Sequence, residues 1–156
     1  MRERYSGITI VELFLVIAIM VIIASIAIPS LQRFFKINKY FNDVIKIEYS
    51  INKAKMMAME RTTNIGVCIE NNELKLYDTG YERGNNPCIG TLIFVVKPED
   101  KHTQIISNGT IIFDPRGLNI SSGGNICIPN SNLNVYYRII VGQGYLKTEK
   151  GEGTCL

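Results

Sequence analysis

Residues 7–32 read GITIVELFLVIAIMVIIASIAIPSLQ, and the reading of this stretch decides the fold. From Leu13 to Gln32 no charged residue occurs, and Ile, Val, Leu, Ala and Met fill almost every position. As a helix rising 1.5 Å per residue, the run covers about 30 Å, the thickness of a bilayer's hydrocarbon core. A helix apolar on every side cannot be wrapped by the remainder of a 156-residue chain, so membrane insertion is expected rather than burial in a soluble core.

Three kinds of segment share this hydropathy. A secretory signal would use Arg2 and Arg4 as its basic end and Ser25-Ile26-Ala27 as a cleavage site. A plain anchor would not be cut. A third kind is cut ahead of the apolar run. Glu12 separates them, because an acidic residue at the centre of a membrane helix costs roughly 2.5–3.5 kcal/mol and gains nothing in an ordinary signal or anchor. Cleavage after Gly7 would create a cationic amine on Ile8, four residues before Glu12 and at the positive end of the helix dipole. The carboxylate could then pair with that amine or with a neighbouring subunit's, which makes its burial tolerable.

Gly7-Ile8-Thr9-Ile10-Val11-Glu12-Leu13 resembles the processing site of type IV prepilins and type II secretion pseudopilins. The pattern is Gly, a hydrophobic residue, Thr, two hydrophobics, Glu, Leu and then the apolar helix. The likeness covers about residues 1–32. It implies that prepilin peptidase cleaves after Gly7 and methylates the amine of Ile8, which keeps its charge. Glu12 would then serve assembly and register. Basic residues flank the apolar run on both sides (Arg2 and Arg4 before, Arg33, Lys36 and Lys39 after), so the positive-inside rule does not orient it. The motif and the cysteines place residues 1–7 in the cytoplasm as a leader. Residues 8–30 are then the single transmembrane pass in the bacterial inner membrane, and later part of a filament core.

Beyond Pro29 the helical period continues and becomes amphipathic. Phe34, Ile37, Phe41, Val44, Ile47, Ile51, Ala54 and Ala58 recur at three- and four-residue steps, with Lys36, Lys39, Asp43, Lys46 and Lys53 largely between them. The helix is expected from Ile8 to Arg61, with 31–61 packed on a globular domain and Met56, Met57 and Met59 filling its core. Residues 62–156 then read as short strands: Ile65–Ile69, Glu73–Tyr77, Leu92–Val96, Thr110–Phe113, Asn125–Ile128, Asn134–Val141 and Tyr145–Thr148. Turn material separates them, including Gly84-Asn85-Asn86-Pro87 and Asn108-Gly109. The expected class is α+β: a long N-terminal helix against a periplasmic domain of two small antiparallel sheets.

Phe113-Asp114-Pro115-Arg116-Gly117, a Gly-rich turn, a cysteine-bearing strand, Tyr137-Arg138-Ile139-Ile140-Val141 and a glycine-rich hairpin resemble the C-terminal domain of the pseudopilin H and FimT class of minor pilins. The resemblance implies a structural subunit, not an enzyme. It would join a secretion pseudopilus or type IV pilus, near the tip, with other pilin-like subunits as partners.

Cys68, Cys88, Cys127 and Cys155 all follow the apolar run, in no Cys-x-x-Cys pair and with His102 the only histidine. That supplies a metal site poorly and reads as two disulfides in an oxidising compartment. Four cysteines allow three pairings, and proximity favours Cys68–Cys88 with Cys127–Cys155. His102 reads as an exposed loop residue, and no catalytic constellation or cofactor loop is evident. The net charge of +3 does not by itself imply a nucleic-acid partner. The alternative is a FimT-like DNA-binding pilin of natural transformation. It would need clustered positive charge near the C-terminal hairpin, where Glu149 and Glu152 offset Lys147 and Lys150.

The N-terminal residue of the mature protein discriminates these schemes. Mass spectrometry is expected to find methylated Ile8; Ile28 would mean a secretory signal, and Met1 an uncleaved anchor.

Overall fold

The computed structural model describes residues 9–81, 86–121 and 123–155. The leader and the turn residues 84 and 85 lie outside this set. One helix, α1, runs Ile10–Arg61 and passes through Pro29. It stops where Thr62 adopts a left-handed conformation (φ 58°), which turns the chain out of helical hydrogen bonding. The chain divides into two compact units within this helix, residues 1–37 and 38–156.

Seven strands follow: β1 Asn64–Glu70, β2 Glu73–Gly80, β3 Thr91–Val96, β4 Ile106–Phe113, β5 Gly123–Asn130, β6 Val135–Val141 and β7 Leu146–Glu152. Each overlaps one of the seven expected runs, and the class is α+β. All pairings are antiparallel, in the order β3-β2-β1-β4-β5-β6-β7. The two expected sheets are therefore two halves of one sheet, joined at β4. Its first part, Ile106–Thr110, pairs with β5, and its last residues, Ile111–Phe113, pair with β1.

The exchange of partners occurs beside Gly109. Asn108-Gly109, expected as a turn, lies inside β4 instead. Gly109 has φ 122°, outside the range of L side chains, and a Cβ there would lie 2.7 Å from the Gly123 carbonyl oxygen. The Gly109–Gly124 pair thus lets the strand bend away from β5 without a break.

One stripe of α1 covers the sheet. Tyr40, Val44, Ile47, Ile51, Ala54 and Ala58 are buried against Ile65, Leu74, Leu76, Ile111, Phe113, Ile126, Ile128 and Ile139. The stripe starts at Tyr40, not at Phe34, Ile37 or Phe41; those three are exposed, Phe41 by 45%. Tyr40 stands four residues before Val44, on the same helix line, whereas Phe41 is turned about 100° away. The Tyr40 hydroxyl donates to the Ile128 carbonyl at 2.6 Å, so the ring can be buried with its polar end satisfied. Met57 packs on the core; Met56 is exposed because it falls on the far side of the helix from Ala54 and Ala58, and Met59, partly exposed, turns its sulfur to the Gly117 turn.

Asp43 also lies on the covered side, 1% exposed. Its two carboxylate oxygens accept the Glu99 and Asp100 amides, each at 2.9 Å, and this ties the β3–β4 connection to the helix. Lys46 and Glu99 form an ion pair beside it. Asp43→Asn keeps the shape but puts an NH2 group against one amide donor. The full chain in detergent is expected to lose about 1–3 kcal/mol in urea unfolding, the cost of one buried donor left unpaired.

Candidate assembly surface and the stapled domain

In the first unit the site is the helix itself. The helix Ile10–Arg61 is long and apolar enough to cross a membrane, and none of its most apolar window is buried. Its large side chains stand open on all sides; Ile26, for example, is 72% exposed. Ser25 donates to the Ile22 carbonyl at 2.7 Å, which satisfies the hydroxyl inside the helix and removes its cost in an apolar surrounding.

Glu12 lies in the first turn of α1, exposed, and its amide donates to Thr9 Oγ1 at 3.3 Å. The Leu13 amide bonds the Thr9 carbonyl at 3.1 Å. Thr9 is therefore the N-cap and Glu12 the third residue of the helix. A Thr-x-x-Glu spacing is the signature of a capping box, and this signal was present in the sequence but not read there. It puts the carboxylate beside the unpaired amides at the positive end of the dipole. Gly7 and Ile8, the expected cleavage and methylation positions, lie outside the described residues.

In the second unit, disulfides join Cys68 to Cys88 and Cys127 to Cys155, with Cα separations of 5.0 and 6.2 Å. The first ties the segment around Pro87 over β1, so closely that a Cβ at Gly66 would collide with the Pro87 backbone. The second ties the segment after β7 to β5. Among the described residues one group of metal-ligating side chains lies close together, Cys68, Glu70 and Cys88, and both of its sulfurs are joined in the disulfide. His102 is exposed, at the rim of a depression of about 440 Å³ with Pro129, Asn130 and Cys155.

Asp114-Pro115-Arg116-Gly117 is a tight turn closed by the Gly117 amide on the Asp114 carbonyl at 2.8 Å. Buried Asp114 organises it. Its carboxylate accepts the Arg116 and Leu118 amides at 2.9 and 3.0 Å and the Arg116 guanidinium at 2.6 Å. Burial pushes the Asp114 carboxyl up, but the Leu118 amide, the Arg116 side chain and the Arg116 amide together outweigh it and hold the group below the ordinary carboxylate value. The C-terminal hairpin closes through Gly142-Gln143-Gly144, with the Gly142 amide on the Tyr145 carbonyl. On it Lys147 pairs with Glu149 at 2.7 Å, and Arg138 stands opposite Glu149 in register. Lys147 and Arg138 thus both face Glu149 rather than forming a cluster for phosphate.

An exposed apolar helix leading into a disulfide-stapled β domain is the build of a membrane-anchored structural subunit. The family model of the type II transport protein GspH matches residues 46–144, from mid-helix through the C-terminal hairpin, and the chain belongs to this family. It is a pseudopilin of the type II secretion machinery, a structural subunit that associates with other pseudopilins. No curated protein and no solved structure matches the chain closely enough to add a relative.

The Asp114 turn carries a pH dependence. Because the folded state depresses this pKa, its contribution to stability is fully present above the unfolded value of 3.8 and is lost as pH falls through the lower folded value. Melting of the full chain is expected to be flat in this respect from pH 7 to 5 and to fall below about pH 4. Asp114→Ala should flatten that acid limb and lower the plateau.

Proposed function

We propose that the chain is made as a precursor which prepilin peptidase cuts after Gly7 and methylates on Ile8. It is then held in the inner membrane by the Ile8–Ile28 helix, with the β domain in the periplasm, and is extracted into a secretion pseudopilus near its tip. The observation that carries this reading is Glu12: one carboxylate in the first turn of α1, directly ahead of the uncharged, exposed apolar stretch 13–32. Unpaired in a membrane or a helix bundle, it is costly; beside a subunit's terminal amine, it is neutralised.

The carboxylate then acts as a register element, because every axial offset that leaves it without an amine is penalised. Thr9 supports this by capping the helix and holding Glu12 at its end. The β domain does no chemistry in this scheme. It gives the subunit its identity in the filament, and the disulfides suit the oxidising compartment where it would stand.

Processing and assembly then depend on different residues. Gly7→Ala or a bulkier change should stop cleavage and leave a precursor about seven residues heavier on a denaturing gel. Glu12→Leu should be cleaved normally and yet drop out of sheared filaments by about tenfold or more, as expected for a lost buried pair. Wild-type incorporation of Glu12→Leu would refute the register role.

A further inference from the structure

The second half of α1 has two faces, and only one is used inside the chain. The covered stripe runs Tyr40, Val44, Ile47, Ile51, Ala54, Ala58. On the opposite side, Ile45, Tyr49 and Met56 are exposed, Tyr49 and Met56 by more than 60%. With Asn38, Asn42 and Asn52 they make an uncharged line with heptad spacing: Asn42, Tyr49 and Met56 at one repeat position, Asn38, Ile45 and Asn52 at the other. The next position, Met59, turns its sulfur to the Gly117 turn instead. Lone exposed apolar residues need no explanation, but a charge-free seam opposite the core, kept over more than two heptads, does.

We infer that this seam pairs with the same seam on a second copy of the chain, as a parallel, in-register two-stranded coiled coil formed in the membrane before assembly. The flanking charges choose the occupant. In a parallel pair each residue just before the first seam position faces the partner's residue five places on. Here that sets Glu48 against the partner's Lys53 and Lys55 against the partner's Glu60, opposite signs in both, each repeated by symmetry. An antiparallel pair would instead bring the Lys39, Lys46 and Lys53 flanks together. Within one chain, Glu48 and Glu60 form no ion pair among the described residues. Lys53 lies over the Phe94 ring at 3.8 Å, and the Lys55 ammonium donates to the Gly144 carbonyl at 3.2 Å, so both cations are already held on their flanks.

The asparagines define what kind of contact this is. Polar residues in such a seam weaken it and favour two strands in one register. The pair is therefore separable, as a stored subunit must be before it joins a filament. The inference rests on the proposed function only for the membrane anchor, which gives two copies the same orientation.

The test uses the full chain in the inner membrane of cells without other pseudopilins. Ile45→Cys and Met56→Cys are expected to form symmetric disulfide dimers under mild oxidation, and Lys101→Cys, on an exposed loop, is not. On the Ile45→Cys background, Glu48→Lys or Glu60→Lys should lower the dimer about threefold or more, and restoring opposite signs with Lys53→Glu or Lys55→Glu respectively should recover it. Glu48 and Glu60 have no ion-pair partner among the described residues, so their single variants read pairing rather than folding. Equal dimer at Lys101→Cys, no dimer at either seam position, insensitivity to Glu48→Lys and Glu60→Lys, or linkage only when another pseudopilin is supplied would each overturn the proposal. Release of the chain by alkaline carbonate would instead mean that the anchor reading had failed.

Discussion

The β-rich unit depends on how the Tyr40–Ala58 stripe of α1 is laid across its sheet. Every half of the sheet sends apolar residues to it: Leu74 and Leu76 from β2, Ile111 and Phe113 from β4, Ile126 and Ile128 from β5, Ile139 from β6. Truncating one such buried isoleucine typically costs 2–5 kcal/mol, a large share of a domain's stability. Two polar contacts fix where on the sheet the stripe sits. Tyr40 bonds the Ile128 carbonyl, and Asp43 bonds the Glu99 and Asp100 amides. Apolar packing alone would tolerate sliding; these directional bonds do not.

Much of this was legible in residue order. The seven strands stand where short β runs alternate with turn residues, and the helix follows from an uninterrupted period with no internal glycine. What was not legible depends on contacts distant in sequence. Phe41 is the more hydrophobic neighbour of Tyr40, yet Tyr40 is buried, because the Ile128 carbonyl, 88 residues away, accepts a hydrogen bond from its hydroxyl. Asn108-Gly109 looks like a hairpin turn, and only the rest of the sheet shows that the glycine serves a strand changing partners. Met56 looks like core because it is apolar, but the small residues Ala54 and Ala58 already hold the helix close to the sheet on its other side, and Met59 is drawn to the Gly117 turn.

The candidate site was legible to a different degree. Glu12 stands out because a charge in an apolar run contradicts its surroundings, and such contradictions are where function tends to lie. Thr9 does not contradict anything; its Thr-x-x-Glu spacing hints at a cap, and the backbone geometry fixes that role. Asp114 lies between these cases: its Asp-Pro-x-Gly string announces a turn, but not that its buried carboxylate gathers two amides and a guanidinium.

The divided strand β4 has a kinetic meaning. Strands β1 to β3 form one local meander and β4 to β7 another, and within each the partners are close in sequence. They meet only where three residues of β1 pair with Ile111–Phe113, nearly fifty positions downstream (Ile65 with Phe113 is the widest, 48 apart). Such long-range closure is slow compared with hairpin formation. In a chain made from its N-terminus, β1 can therefore pair with β2 well before its other edge has a partner. That edge carries Ile65 and Val67, residues of the finished core. For a subunit crowded with its kin at a secretion site, the interval before β4 arrives is when β-sheet exchange between chains is most open.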